Sequence, residues 1–188
     1  MIDLGPVVLR PFEPPDVAHL HRFRNDWQVT QYLTGFSSGY SRRNLEEWVK
    51  FHRNRDDEVL WAIAAKRSDR CIGHVGLYKI DLRVRKAEFA IIVGDSQWQG
   101  KGIGRKATEA MLDWGFRQLN LHKISLSVLA SNKRAIKLYR NLGFRLEGTL
   151  RHEQFRDGKY VDVVLMSLLE RERHPKREPG PRSRYAGK

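Results

Sequence analysis

The stretch AEFAIIVGDSQWQGKGIGRKATEAMLDWGFRQL, residues 87–119, decides how this chain folds. Its first seven residues place one glutamate among apolar residues and predict a strand. After a glycine-rich turn, apolar residues recur every three or four positions, which predicts an amphipathic helix. The first N–H groups of such a helix have no helical partner and lie at the positive end of its dipole. The sequence therefore predicts an anion site, suited to phosphate, just beyond the strand.

The glycine-rich turn suits a ligand that approaches the backbone closely. Gly100, Gly102 and Gly104 lack a Cβ, and Lys101 and Arg105 add positive charge. A purely steric need for glycine in a tight turn is the alternative. A Walker loop is excluded because glycine, not Ser or Thr, follows the Gly-Lys pair. A dinucleotide fingerprint is excluded because the glycine spacing is G-x-G-x-G and no acid follows the next strand.

Two segments resemble the signature motifs of one enzyme family. The loop QGKGIG (residues 99–104) and the segment NKRAIKLYRNLGF (132–144) resemble the two motifs of the GNAT superfamily of N-acetyltransferases. The later segments EGTLR (147–151) and DGKY (157–160) resemble those of the RimJ/RimL-type branch of this superfamily. That branch includes ribosomal-protein N-terminal acetyltransferases and spermidine acetyltransferases. The resemblance extends from about residue 7 to residue 169, and two motifs in this order are far more specific than one.

The resemblance implies the GNAT fold, an α/β (α+β) architecture. Its mixed, mostly antiparallel central sheet would have six to seven strands, with helices on both faces. The local patterns predict strands at 7–10, 60–66, 71–81, 87–93, 123–128, 144–153 and 161–169. They predict helices from about residue 16, after Ser41, and at 102–119 and 132–142, with a loop at 34–40. Because both faces of strand 87–93 carry apolar residues, we expect it to be central and covered on both sides.

Acetyl-coenzyme A is the cosubstrate that the resemblance implies, and no metal is implied. The residues implied for coenzyme binding are Ile91, Ile92, Val93, Gln99, Gly100, Lys101, Gly102, Ile103, Gly104, Arg105, Asn132, Ala135 and Tyr139. Asn132 also stands where a helix N-cap is expected, and that role needs no ligand. The donor for the oxyanion would be a backbone N–H near Ile92. The histidines lack metal-ligand spacing.

Acetyl transfer to an amine needs a base, an oxyanion donor and an acid. By resemblance, Tyr139 points its hydroxyl at the coenzyme sulfur and is the acid; the alternative is a core tyrosine. Glu88 is the candidate base, because a carboxylate in an apolar strand is costly unless it is used or paired. Its alternative is an ion pair, with Arg85 or Lys86 as partner. Cys71 lacks an adjacent motif and is expected to be a buried, inert thiol, so we expect direct transfer in a ternary complex.

Length and composition bound the organisation of the chain. Its 188 residues fit one domain, predicted over 1–170, and the net charge of +13 favours anionic partners. The tail at 171–188 has seven basic and two acidic residues and is predicted to be disordered. A single cysteine forms no internal disulfide, which fits a reducing cytoplasm. No signal peptide and no apolar run long enough for a bilayer is apparent.

The acceptor amine is the least determined part of the prediction. The tail accounts for +5 of the chain's +13, which leaves +8 for residues 1–170 and argues against a polycationic acceptor. A protein N-terminus, or a neutral or anionic small molecule, fits better; a spermidine or polyamine acetyltransferase is the alternative. A hypothesis of another class is a non-enzymatic RNA- or ribosome-binding module that uses the basic tail, and a third is an inactive GNAT fold. An assembly of identical copies is compatible with the sequence.

Overall fold

One mixed β-sheet runs through the part of the chain that the structure, a computed structural model, describes: residues 1–35, 39–53 and 55–173. Its strands are β1 (Ile2–Asp3), β2 (Val7–Arg10), β3 (Val59–Ala65), β4 (Cys71–Asp81), β5 (Lys86–Val93), β6 (Lys123–Leu129), β7 (Arg145–Arg156) and β8 (Lys159–Leu169). The helices are α1 (Asp16–Arg24), α2 (Trp27–Thr30), α3 (Arg42–Arg53), α4 (Ile103–Gln118), α5 (Lys133–Asn141) and α6 (Glu170–Arg173). Residues 36–38 of the predicted loop at 34–40 lie outside the described residues.

The strand order is β1-β2-β3-β4-β5-β6-β8-β7, and every neighbouring pair is antiparallel except β5 and β6. A parallel pair needs a crossover, which α4 provides. The predicted mixed, mostly antiparallel sheet is confirmed. It has eight strands instead of the expected six to seven, because β1 pairs with β2 over only two residues and is too short to leave a periodic pattern.

The parallel pair β5–β6 is joined over a short distance only. Its partners are Lys86 with Lys123, Ala87 with Ile124 and Glu88 with Ser125. Beyond Glu88, no further β5–β6 pair occurs among the residues that the structure describes. Residues 89–93 and 126–129 therefore border a gap, which we call the fork, and the facing edge of each strand has backbone groups available there.

Helices cover both faces of the sheet, as predicted. On one side, which we call the α4 face, α4 and α5 bury Phe89, Met111 and Tyr139 in the larger hydrophobic core. On the other side, the α1 face, α1 and α3 pack with Ile92 and other residues in a second core. This placement puts the two halves of the candidate chemistry on opposite sides of β5, because successive strand residues alternate between faces.

Strand β5 is not covered on both sides along its whole length, and that expectation was wrong for Glu88 and Ala90. Both residues are exposed on the α1 face. The second core reaches Ile92 but not these two residues, because α1 and α3 contact β3 and β4. The result is an open strip of β5 at the base of the fork, which we call the groove floor.

The β7–β8 hairpin is tied to the segment that follows α2. The Arg156 guanidinium donates to the carbonyl oxygens of Thr30 and Gln31, each at 3.3 Å, and to that of Gly35 at 2.6 Å. It also donates to the carbonyl of Leu33. These bonds hold the hairpin end beside residues 30–35, on the α1-face side of the molecule.

The predicted tail begins inside α6. Glu172 pairs with Arg145 at 3.1 Å, and Arg173 pairs with Asp113 at 3.0 Å, so the described chain continues three residues past the predicted boundary. Residues 174–188 lie outside the described part. None of the helices in the described ranges is long and apolar enough to cross a membrane.

Candidate active site

The glycine loop begins at a buried carboxylate. Asp95 follows β5 after one glycine, and its side chain accepts a hydrogen bond from the Gln97 N–H at 3.0 Å, which opens the 3₁₀ turn Ser96–Trp98. The carboxylate also pairs with Arg70 at 2.8 Å and with Arg22 at 3.5 Å. These contacts fix the point at which the chain leaves the strand.

The loop leaves open space beside its glycines. Gly100 and Gly102 have φ values of +77° and +78°, a region that favours glycine. A Cβ on Gly102 would meet nothing within 4 Å, and one on Gly100 would meet only Arg134 Nη2 at 3.8 Å. Packing therefore does not demand glycine here, although the backbone conformation favours it. Gly102 is the N-cap of α4 and gives no side-chain cap, so the first N–H groups of α4 point into this space.

Three cations surround the opening. Lys101 and Arg105 are exposed, as expected, and Arg105 pairs with Glu109 at 3.0 Å. The third is Arg134 in the first turn of α5, to which the sequence analysis gave no role although it lies within the quoted second motif. Its position in the sequence, as a basic residue in the first turn of a helix within the second motif, could have indicated a role in binding the coenzyme. N–H donors, cations and open space together fit the phosphates of a coenzyme.

The edge of β5 determines which backbone groups face the fork. The Ile92 carbonyl points at β4, where a Cβ on Gly73 would lie 2.1 Å from its oxygen. Because backbone groups alternate along a strand, those of Ile91 and Val93 point to the opposite edge, toward the fork. Ile92 itself therefore faces away, and its two neighbours are the available donors. The Val93 carbonyl accepts from Gln99 Nε2 at 2.9 Å, which ties the loop to the strand.

Tyr139 lies at the fork on the α4 face. Its ring packs edge to face on Phe89, with centroids 6.2 Å apart, and against Phe144 at 5.6 Å. Burial raises its pKa to about 12, so the phenol is protonated at neutral pH. Its hydroxyl makes no hydrogen bond to a described residue, and it is not among the sealed unpaired polar atoms. Both the core role and the acid role fit this position.

Glu88 lies on the α1 face at the base of the fork. Its side chain is 52% exposed and pairs with Lys79 Nζ at 2.9 Å. A carboxylate enclosed by an apolar strand was expected here, and that expectation was wrong, because the groove floor is open. Glu88 does form an ion pair, which was the alternative, but the partner is Lys79 of β4 and not Arg85 or Lys86. A solvated carboxylate beside the fork remains in reach of water and of an incoming amine.

Asn132 and Cys71 have packing or capping contacts of their own. Asn132 Oδ1 accepts from the Ala135 N–H at 3.1 Å and caps α5, which is the ligand-free alternative for Asn132. Cys71 is buried, as expected, and desolvation raises its pKa to about 12, which favours the unreactive thiol form. No group of three or more metal-ligating side chains occurs in the described ranges.

The glycine loop, the fork and the tyrosine on α5 define a class of protein. The family model "Acetyltransferase (GNAT) domain" matches residues 7–145, and the chain belongs to this family. It is an acetyl-CoA-dependent N-acetyltransferase with the GNAT fold.

Its relatives include enzymes with several acceptors. The chain is 34% identical over 165 residues to spermidine N(1)-acetyltransferase of Escherichia coli strain K12, covering 87% of this chain and 86% of that one. A crystal structure of spermidine N-acetyltransferase from Vibrio cholerae, in complex with CoA and spermine, superimposes with a TM-score of 0.82 at 34% identity, covering 89% of this chain and 98% of that one. An L-amino acid N-acetyltransferase of Escherichia coli is 35% identical over 100 residues, covering 50% of this chain and 61% of that one.

Proposed function

We propose that this enzyme transfers the acetyl group directly to a primary amine that reaches the fork from the α1 face. The observation that carries the proposal is the fork itself. At the fork, a point between the glycine loop and the groove floor can be reached from both faces of the sheet. The coenzyme phosphates would be held by the N–H groups of residues 100–105 with Lys101, Arg105 and Arg134. The acyl arm would lie along the edge of β5.

The roles of the side chains follow from their faces. Glu88, on the α1 face, would take the proton of the incoming ammonium group through water, so that the amine nitrogen can attack the thioester carbonyl. An N–H of Ile91 or Val93 would stabilise the negative charge that develops on the thioester oxygen. Tyr139, on the α4 face, would donate its proton to the sulfur as the carbon–sulfur bond breaks.

Two acceptor classes remain from the sequence analysis. The RimJ/RimL-type segments and the net charge of +8 on residues 1–170 support a protein N-terminus or a small neutral or anionic amine. A polyamine is the second candidate, and the two spermidine acetyltransferases to which this chain is similar support it.

The experiment is an acceptor screen that measures free thiol released from acetyl-CoA. Polyamines, amino acids, amino sugars and short peptides with free N-termini supply the primary amines. Amine-dependent thiol release by the wild-type protein is expected, together with a rise in melting temperature on adding coenzyme A. Stabilisation without thiol release would indicate an inactive GNAT fold. The absence of both stabilisation and thiol release would favour a binding module.

We also propose that residues 1–170 form the catalytic domain in the cytoplasm and that the basic tail contacts nucleic acid or the ribosome. The ion pairs of Glu172 and Arg173 support a shorter detachable tail than predicted. Truncation after residue 173 should leave the melting temperature and small-amine turnover unchanged while weakening RNA binding in a filter assay. Truncation after residue 169, the matched control, should lower the melting temperature. Sedimentation of both proteins would report whether identical copies assemble.

A further inference from the structure

A buried polar cluster lies between α1, α3 and β4 on the α1 face, away from the glycine loop. Arg24, the last residue of α1, places Nη2 3.0 Å from Nε2 of His74. The guanidinium carbon lies 4.4 Å from the ring centroid of Trp48 and 5.4 Å from that of Tyr40. Two aromatic rings and an imidazole thus hold the arginine in place, and nothing in this arrangement is used by acetyl transfer as described above.

The cluster has hydrogen-bond donors without acceptors. A guanidinium only donates, so His74 Nε2 accepts and the ring proton of the neutral imidazole is on Nδ1. His74 is fully buried, and desolvation followed by the Arg24 charge holds its pKa well below the usual range. Its Nδ1 and the Nε of Arg24 are buried and have no hydrogen-bond partner within the described ranges. Each such donor costs about 1–3 kcal/mol, and both atoms are sealed from the surface.

The cluster also has a positive charge without a counterion. Among the residues that the structure describes, no carboxylate lies within 4 Å of the Arg24 guanidinium. Glu58, the carboxylate of this neighbourhood, pairs with His52 and with Arg55. Arg24 Nη1 makes no hydrogen bond to a described residue and, unlike Nε, is not sealed from the surface. An unpaired, partly accessible guanidinium is the group that proteins use to bind carboxylates.

The position of the cluster relates it to the acceptor. His74 lies directly opposite Ile92, and Gly76 opposite Ala90, so the cluster borders the groove floor across one strand spacing. Tyr139 is on the other face of β5. The cluster and Glu88 therefore lie on the same face of the sheet, with Ile92 opposite His74 and Glu88 four residues before Ile92 on β5.

We propose that Arg24, positioned by His74 and Trp48, binds an anionic group of the acceptor, and that the preferred acceptor is a primary amine that carries a carboxylate. The proposal rests on the proposed acetyl transfer and names the acceptor class of that same site. One unneutralised cation matches one carboxylate. A polyamine carries two or more ammonium groups, so the positive charge of Arg24 would repel it.

The test compares acids with their uncharged analogues. L-Methionine and L-phenylalanine are assayed beside their carboxamides and spermidine, with thiol release from acetyl-CoA as the readout. The acids should have a kcat/KM at least about tenfold above that of the amides, because the carboxamide carries no negative charge to pair with the guanidinium. Arg24→Gln should lower kcat/KM for the acids by about 10- to 100-fold through KM, and should leave the amides and the affinity for coenzyme A unchanged.

Controls separate binding from folding and from turnover. Arg43→Gln removes an exposed arginine of α3 that pairs with Glu47, and it should change neither substrate series. Calorimetric binding of N-acetyl-L-methionine in the presence of coenzyme A gives a readout that needs no turnover. It should be lost in Arg24→Gln and retained in Arg43→Gln, with melting temperatures measured for both.

The outcomes distinguish this inference from the proposed function. Amides or spermidine used as well as the acids, or an Arg24→Gln variant that affects acids and amides alike, would overturn the anion subsite while acetyl transfer stands. Arg24-dependent binding of N-acetyl-L-methionine without thiol release from any amine would support the subsite and count against the transfer. If the acids are neither bound nor turned over, the anion subsite is overturned.

Discussion

Tyr139 meets Phe89 edge to face, with an interplanar angle of 82°, at the place where β5 and β6 separate. Phe89 is the first residue of β5 beyond the last pair with β6, and its ring lies on the α4 face. The contact therefore holds the phenol at the base of the fork from one side, while Glu88 lies on the other side. A thioester held in the fork would have an acid and a carboxylate on opposite faces.

Replacement of Tyr139 by phenylalanine should remove the acid and retain the packing. We expect turnover to fall by about 10²-fold, the usual contribution of one acid–base group, with little change in coenzyme affinity. Tyr160→Phe, at an exposed tyrosine of β8, is the matched control. Since the pKa of Tyr139 is raised to about 12, no loss of the acid form is expected in a pH profile until the pH nears that value. An unchanged rate would leave Tyr139 a packing residue.

Replacement of Gly102 by glutamate should block coenzyme binding. The new carboxylate would compete for the N–H groups at the start of α4, each of which contributes about 1.5–3 kcal/mol when it binds a charged group. We expect the Kd of coenzyme A to rise by about 10²-fold in calorimetry. Gly158→Glu, in the β7–β8 turn at φ +76°, imposes similar backbone strain away from the loop and should bind normally. Equal affinities in the two variants would contradict the loop assignment.

Asp16→Asn should destabilise the protein strongly. The Asp16 carboxylate is 2% exposed and accepts two bonds from Arg10, at 2.7 and 3.0 Å. Removing one partner of a buried pair typically costs about 3–5 kcal/mol in the free energy of unfolding. The second partner of Arg10, Asp69, is 69% exposed, so Asp69→Asn should cost no more than about 1 kcal/mol. Urea unfolding of both variants checks this, and similar losses would argue against a buried pair.

His74 should make stability depend on pH below neutrality. Its pKa in the folded protein is held well below the usual value of 6.5, so on acidification the unfolded chain binds this proton first. The free energy of unfolding should therefore fall as the pH drops below 6.5, by up to about 1.4 kcal/mol per pH unit from this group. His74→Gln should flatten that slope in urea titrations at pH 5 to 7. His122→Gln, at an exposed histidine, should not.

The sequence predicted what is local. The strand, the glycine loop and α4 follow one another along the chain, so their order and the open space beside Gly102 could be predicted from one stretch. Residue patterns also placed Tyr139 and the Asn132 cap. On α4, however, the spacing of apolar residues does not fully identify the buried face, because Trp114 is half-buried while Leu112 and Phe116 are buried.

What the sequence could not predict depends on distant segments. Glu88 was expected to be buried because its neighbours in the strand are apolar, and only the positions of α1 and α3 show that the groove floor is open. The Arg24–His74 contact joins residues 50 positions apart and has no motif. The separation of β5 from β6 likewise depends on how the two strands pair, and no residue pattern within either strand predicts it.

The four carbonyls that accept hydrogen bonds from Arg156 tie together two segments that lie more than 120 positions apart in the chain. Neither segment carries the glycine loop or the tyrosine. A substitution at Arg156 would therefore loosen the hairpin end and residues 30–35 together, while both of those elements keep their own packing.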